Sequence, residues 1–132
     1  MNCLQGKITQ LDVYENLTLV SIRVGEVIMK SIVIETPSSC SYLVEGKAIK
    51  ALFKETEVII GKGNNLGISL QNRFNCIITH IEQGVLLSKL TLATQGNELF
   101  SIITTNAVKQ LGLSKGQEVL AMIKTNEIML SE

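Results

Sequence analysis

No apolar run in this chain is longer than a strand needs, and no charged start leads into an apolar core. Neither a membrane span nor a signal peptide is therefore expected, and the localisation that follows is cytoplasmic. An excess of one charge is also missing. Lysine plus arginine and aspartate plus glutamate number 12 each, which removes the electrostatic footprint of a nucleic-acid binder. Tryptophan is absent, and the aromatics are only Tyr14, Tyr42, Phe53, Phe74 and Phe100, several of them at core-like positions, so a stacking platform for a single strand is missing too. The three cysteines, Cys3, Cys40 and Cys76, are odd in number and form no C-x-x-C pair. That excludes a zinc ribbon and a disulfide framework and leaves reduced thiols. The single histidine, His80, lies among Ile77, Ile78, Thr79 and Ile81 and reads as a strand residue rather than a ligand or base. There is no grouping of nucleophile, base and orienter, no phosphate-binding glycine loop and no metal-ligand spacing. The glutamates, among them Glu35, Glu55, Glu57, Glu82, Glu118 and Glu127, scatter over strand ends and turns as solvated charge. The expectation is a protein that is not an enzyme and holds no metal or cofactor.

What the chain does have is a repeat. Shifted by 70 residues, Asn2 falls on Asn72, Ile8 and Thr9 on Ile78 and Thr79, and Ser31 and Ile32 on Ser101 and Ile102. Leu43 then meets Leu113, Gly46 Gly116, Ala51 Ala121, Lys54 Lys124 and Glu57 Glu127, with no gap. An ungapped match of this extent means two like domains in 132 residues. Units of about 60 to 65 residues bury too little surface to be comfortable alone, so they should pack on each other or oligomerise. The 45% hydrophobic content suggests an apolar patch for that purpose.

The first copy reads as strands over Leu4 to Leu11, Leu17 to Val24, Val27 to Ile34, Ala48 to Phe53 and Val58 to Ile60. Gly25 and Glu26 form a hairpin turn, and a short helix is expected over Ser38 to Leu43 behind Pro37. The second copy repeats the order, with strands Phe74 to Ile81, Leu86 to Leu92, Leu99 to Ile103 and Glu118 to Ile123. Its helix spans Asn106 to Leu111, capped by Gly112. The only glycine and asparagine cluster, Gly61 to Gly67, marks a short linker. The fold class is all-β: two OB-like five-stranded barrels in tandem, each with one short helix, with domains at 1–60 and 69–132 and a linker at 61–68.

Ser69, Leu70, Gln71, Asn72 open the second copy, and Leu111, Gly112, Leu113, Ser114, Lys115, Gly116 with Val119 to Lys124 close it. On both ends the stretch from Ile68 to Leu130 resembles the Mop or molbindin module, a small molybdate-binding domain of the TOBE group. The first copy resembles it more weakly, since it begins at Met1 and Asn2 and lacks the opening serine. The resemblance implies the OB-like fold, molybdate or tungstate as bound ligand, a role in storage or homeostasis, and a homotrimer with sites at subunit contacts. It also implies oxyanion-binding residues at Ser69, Gln71, Asn72, Thr104 and Lys124, with Asn2 and Lys54 as the first copy's remnants. Gln71 stands where the family has arginine and Ala107 where it has serine. In the first copy, Ile34 and Pro37 replace the residues equivalent to Thr104 and Ala107.

Molybdate is a tetrahedral dianion with four acceptor oxygens and, near neutral pH, no proton. Its site wants donors only: backbone N–H, hydroxyl, amide NH₂ and a lysine. Plain alternatives stand beside each candidate. Lys124 could be a solvated strand-end lysine, Ser69 and Asn72 could cap a turn, and Thr104 could be an ordinary helix cap. At the level of the whole chain, the pair could serve as the ligand-sensing part of a molybdate transport ATPase or of a molybdate-responsive transcription regulator. It could also be an assembly domain whose sites have decayed.

Overall fold

Alternating apolar and polar residues give each copy strands with one face for a core, and the fold is built almost wholly from them. A computed structural model describes residues 1–63 and 67–132. The first copy supplies β1 (Asn2–Tyr14), β2 (Leu17–Val24), β3 (Val27–Val33), β4 (Ala48–Phe53) and β5 (Ile59–Gly61). The second supplies β6 (Asn72–Gln83), β7 (Leu87–Thr94), β8 (Asn97–Thr104), the helix α1 (Thr105–Leu111), β9 (Glu118–Ile123) and β10 (Met129–Ser131). Short 3-10 turns, Glu55–Glu57 and Thr125–Glu127, follow β4 and β9. The expectation of an all-β fold with two five-stranded units holds. Of the expected linker, Asn64, Asn65 and Leu66 lie outside the described residues.

The fifth strand of each copy joins the other copy's sheet. The strand orders are β10-β4-β1-β2-β3 and β5-β9-β6-β7-β8. β5 pairs with β9 through Ile60↔Ala121, and β10 pairs with β4 through Leu130↔Ala51, in matching register. The sequence predicts a strand over Val58 to Ile60 and, through the repeat alone, a last strand in the second copy, and neither expectation carries information about which sheet receives it. The first four strands of each sheet are local, with short turns between β2 and β3 and between β7 and β8. At the second of these turns Gln95 and Gly96 both take positive φ (46° and 78°), the conformation that matches the twist of a two-residue hairpin. Bulges at Thr9 in β1 and Thr79 in β6 bend these long strands so that one end pairs with β4 or β9 and the other with β2 or β7.

The short helix appears only in the second copy. Thr104 caps α1 by accepting from the Ala107 N–H at 3.1 Å, and Gly112 ends it in the left-handed region (φ 61°). The Ser38 to Leu43 helix does not form; the segment makes turns instead. The Thr36 carbonyl accepts from the N–H groups of Ser39 and Cys40 at 3.0 and 2.9 Å, a single turn, after which the chain tightens: the Leu43 N–H reaches the Cys40 carbonyl at 3.3 Å and the Val44 N–H the Tyr42 carbonyl at 2.9 Å.

Side chains lock the two halves reciprocally. The buried Asn2 amide donates to the Phe100 carbonyl and accepts from the Phe100 N–H, both at 2.8 Å. Asn72 does the same to Lys30, at 2.8 and 2.7 Å. Ser31 and Ser101 donate to the carbonyls of Ile128 and Val58, each at 2.9 Å. The asparagines thus satisfy backbone groups on β3 and β8, the outermost strands of the two ladders. Buried residues from both halves, including Leu4, Ile22, Met29, Phe53, Phe74 and Leu90, form one continuous core, which gives each small unit the burial it lacks alone.

Candidate oxyanion site

The antiparallel pairing of β6 with β9 sets the first residue of one strand, Asn72, opposite the last residue of the other, Ile123. The segment entering β6 and the segment leaving β9 therefore meet at one end of the sheet. There Ser69, Leu70, Gln71, Lys124 and Thr125 line a cleft of about 390 Å³. The expected residues Ser69, Gln71 and Lys124 come together although the first and last are 55 positions apart in the chain. The lining holds a lysine, two hydroxyls and an amide, and no carboxylate.

Backbone donors complete the inventory. Arg73 donates from Nε to the Leu70 carbonyl and from Nη2 to the Ile68 carbonyl, each at 2.7 Å. In trans peptides the N–H points opposite to the carbonyl of the same unit, so the N–H groups of Ser69 and Gln71 are turned away from the guanidinium. Among the described residues neither N–H meets an acceptor. Uncommitted N–H groups beside a lysine and hydroxyls are what a fully deprotonated oxyanion can use.

The other expected residues lie elsewhere. Asn72 adjoins the cleft in sequence, but its amide is turned to the backbone of Lys30. Thr104 sits at the end of the outer strand β8 as the cap of α1 and does not line the cleft. Asn2 and Lys54 occupy the equivalent end of the first half, where Asn2 is opposite Phe53. In that place Glu55 is the counterpart of Thr125. It takes the Met1 ammonium at 2.9 Å, and this bond holds its carboxyl below the usual range. A carboxylate committed to an ammonium stands there in place of the Thr125 hydroxyl, so the two ends are chemically unequal.

Thr125 and Arg73 are absent from the sequence-based set. The contrast of Thr125 with Glu55, and of Arg73 with Cys3, between the copies is the signal that would have found them. A larger opening of about 520 Å³ around Asn75, Cys76, Thr94, Gln95 and Glu118 has a carboxylate and no cation, so it does not suit an anion. Among the described residues no group of three or more histidine, cysteine, aspartate or glutamate side chains could hold a metal ion, and no helix is long and apolar enough to cross a membrane.

Comparison with known proteins supplies relatives of the fold. The TOBE domain matches residues 68–130. Molybdenum-pterin-binding protein 1 of Clostridium pasteurianum is 30% identical over 66 residues, 49% of this chain and 97% of its own length. Molybdenum-pterin-binding protein MopA of Rhodobacter capsulatus is 34% identical over 64 residues, 48% of this chain, and that match spans 24% of MopA. The crystal structure of the cytoplasmic molybdate-binding protein ModG with molybdate bound superimposes with a TM-score of 0.90 at 28% identity, covering 98% of this chain and 94% of ModG.

Proposed function

This chain belongs to the Mop family of TOBE-domain molybdate-binding proteins, and from that premise we propose that it binds molybdate or tungstate in the Ser69–Lys124 cleft, for storage or homeostasis. The observation that carries the reading is the lining: Lys124, the hydroxyl residues Ser69 and Thr125 and the amide residue Gln71, with no carboxylate among them, and with the backbone N–H groups of Ser69 and Gln71 meeting no acceptor among the described residues. Hydrogen bonds to a charged ligand contribute about 1.5 to 3 kcal/mol each, so a few of them account for a micromolar or tighter site.

The functional protein, in this reading, is a cytoplasmic binding protein without catalytic activity, made of TOBE units at 1–60 and 69–132 with a linker at 61–68. Its exposed apolar residues Tyr14, Ile34, Val85 and Leu86 support self-association, and the family resemblance is the ground for proposing that the assembly is a homotrimer. A second reading, the ligand-sensing part of a longer protein, draws on the Rhodobacter relative, of which the match spans only a quarter.

Calorimetric titration tests the main reading. Molybdate and tungstate are expected to bind with similar affinity, sulfate far more weakly because it is smaller. Equal binding of all three would mean a generic anion site, and no heat with any of them would leave an assembly module. Light scattering tests the trimer, and a stable monomer at micromolar concentration would remove it.

A further inference from the structure

We propose that Arg73 is the positioning residue of the oxyanion cleft: by holding the carbonyls of Ile68 and Leu70 from behind, its guanidinium aims the N–H groups of Ser69 and Gln71 at the ligand. The proposal rests on the function just given. Its geometry is direct. Arg73 reaches both carbonyls at 2.7 Å, lies in β6 one residue past Asn72, and is not part of the cleft lining. It therefore acts through the segment rather than on the ligand.

Without this clamp, residues 68–71 have no regular secondary structure to fix their peptide planes. A free peptide unit presents its carbonyl as readily as its N–H, and a carbonyl facing a dianion is repulsive. A planar guanidinium with donors spread in a fork is suited to holding two carbonyls at once, which an ammonium does not do with the same geometry. The arrangement also places a permanent positive charge behind a segment whose own residue 71 is the uncharged Gln71. In the first half the counterpart of Arg73 is the exposed Cys3, which can hold no such pair of carbonyls. The clamp thus belongs to one copy, the same copy whose cleft is free of a carboxylate.

The test uses the full chain with sodium molybdate, in wild type and in the Arg73→Gln and Arg73→Lys variants. It combines calorimetry, thermal melting of the free proteins and amide spectra of nitrogen-15-labelled samples. Arg73→Gln is expected to weaken molybdate binding about tenfold or more. Arg73→Lys, which keeps the charge but not the fork, should remain several-fold weaker than wild type. In wild type the Ser69 and Gln71 amide resonances should move on adding molybdate, and in both variants that movement should shrink while the melting temperature of the free protein stays near wild type. Wild-type affinity in Arg73→Gln would overturn the proposal, and so would full restoration by Arg73→Lys, which would make charge alone responsible. Should Arg73→Gln fail to fold, the Arg73→Lys affinity and amide shifts decide in the same way. Absence of binding by the wild-type protein would instead overturn the proposed function, and this inference with it.

Discussion

Asn2 and Asn72 make the same pair of hydrogen bonds in opposite directions across the molecule, Asn2 to both backbone groups of Phe100 and Asn72 to both backbone groups of Lys30. Each closes the outer strand of the half it does not belong to. A residue that family resemblance suggests as a ligand is therefore also a structural tie.

Removing either tie leaves an N–H and a carbonyl unpaired in a buried setting. Asn2→Ala and Asn72→Ala are each expected to destabilise the protein by about 2 kcal/mol or more. Urea unfolding measures this, and a loss below about 0.5 kcal/mol in either variant would show that water replaces the amide at no cost.

Lys124→Ala should lower molybdate affinity at least about tenfold, equivalent to about 1.4 kcal/mol, with Lys54→Ala the smaller of the two. The inequality follows from Glu55, which stands in the first half where Thr125 stands in the second. Calorimetry giving the reverse order would move the principal site to the Lys54 end.

The bond between Glu55 and the Met1 ammonium predicts a pH dependence. Because the folded carboxyl is held below its ordinary value, its contribution to stability is complete above the unfolded value of about 4.3 and is lost as pH falls through the lower folded value. Melting temperatures of wild type and Glu55→Gln should differ at pH 6 and converge in acid. A gap that persists unchanged down to about pH 2.5 would exclude this pair as its source.

Thiol labelling should distinguish the cysteines. Cys3 is exposed, while Cys40 and Cys76 are buried, and burial raises both of the latter thiols, Cys76 to about 11. At pH 8 a mild aromatic disulfide reagent is expected to react with Cys3 alone in the native protein and with all three after unfolding. Fast native labelling of Cys76 would mean that β6 opens readily.

Deleting 129–132 should loosen the first half rather than the second, since β10 pairs only with β4. Hydrogen exchange is expected to accelerate at Lys50, Ala51 and Leu52. Faster exchange confined to β9 would contradict the strand exchange.

The strands were readable in the sequence because alternation is a local property, as was α1, whose cap at Thr104 and stop at Gly112 lie within its own few residues. The 70-residue correspondence also pairs Asn2 with Asn72 and Lys54 with Lys124. What could not be read is which partner each element meets. β5 and β10 look like the last strands of their own copies, and only the packing of both halves into one core decides that they cross. Likewise Ser69, Gln71 and Lys124 were legible as donors, whereas the contrast of Arg73 with Cys3 singles out the arginine but not the two carbonyls it holds, because the way those point is a matter of backbone direction.

The crossing of β10 also governs how the chain can be made. Until Met129 to Ser131 have left the ribosome, β4 has no outer neighbour, although every residue of β1 to β4 was synthesised long before. During that interval the nascent first half presents an open strand edge, the kind of surface that recruits chaperones or pairs with a neighbouring nascent chain.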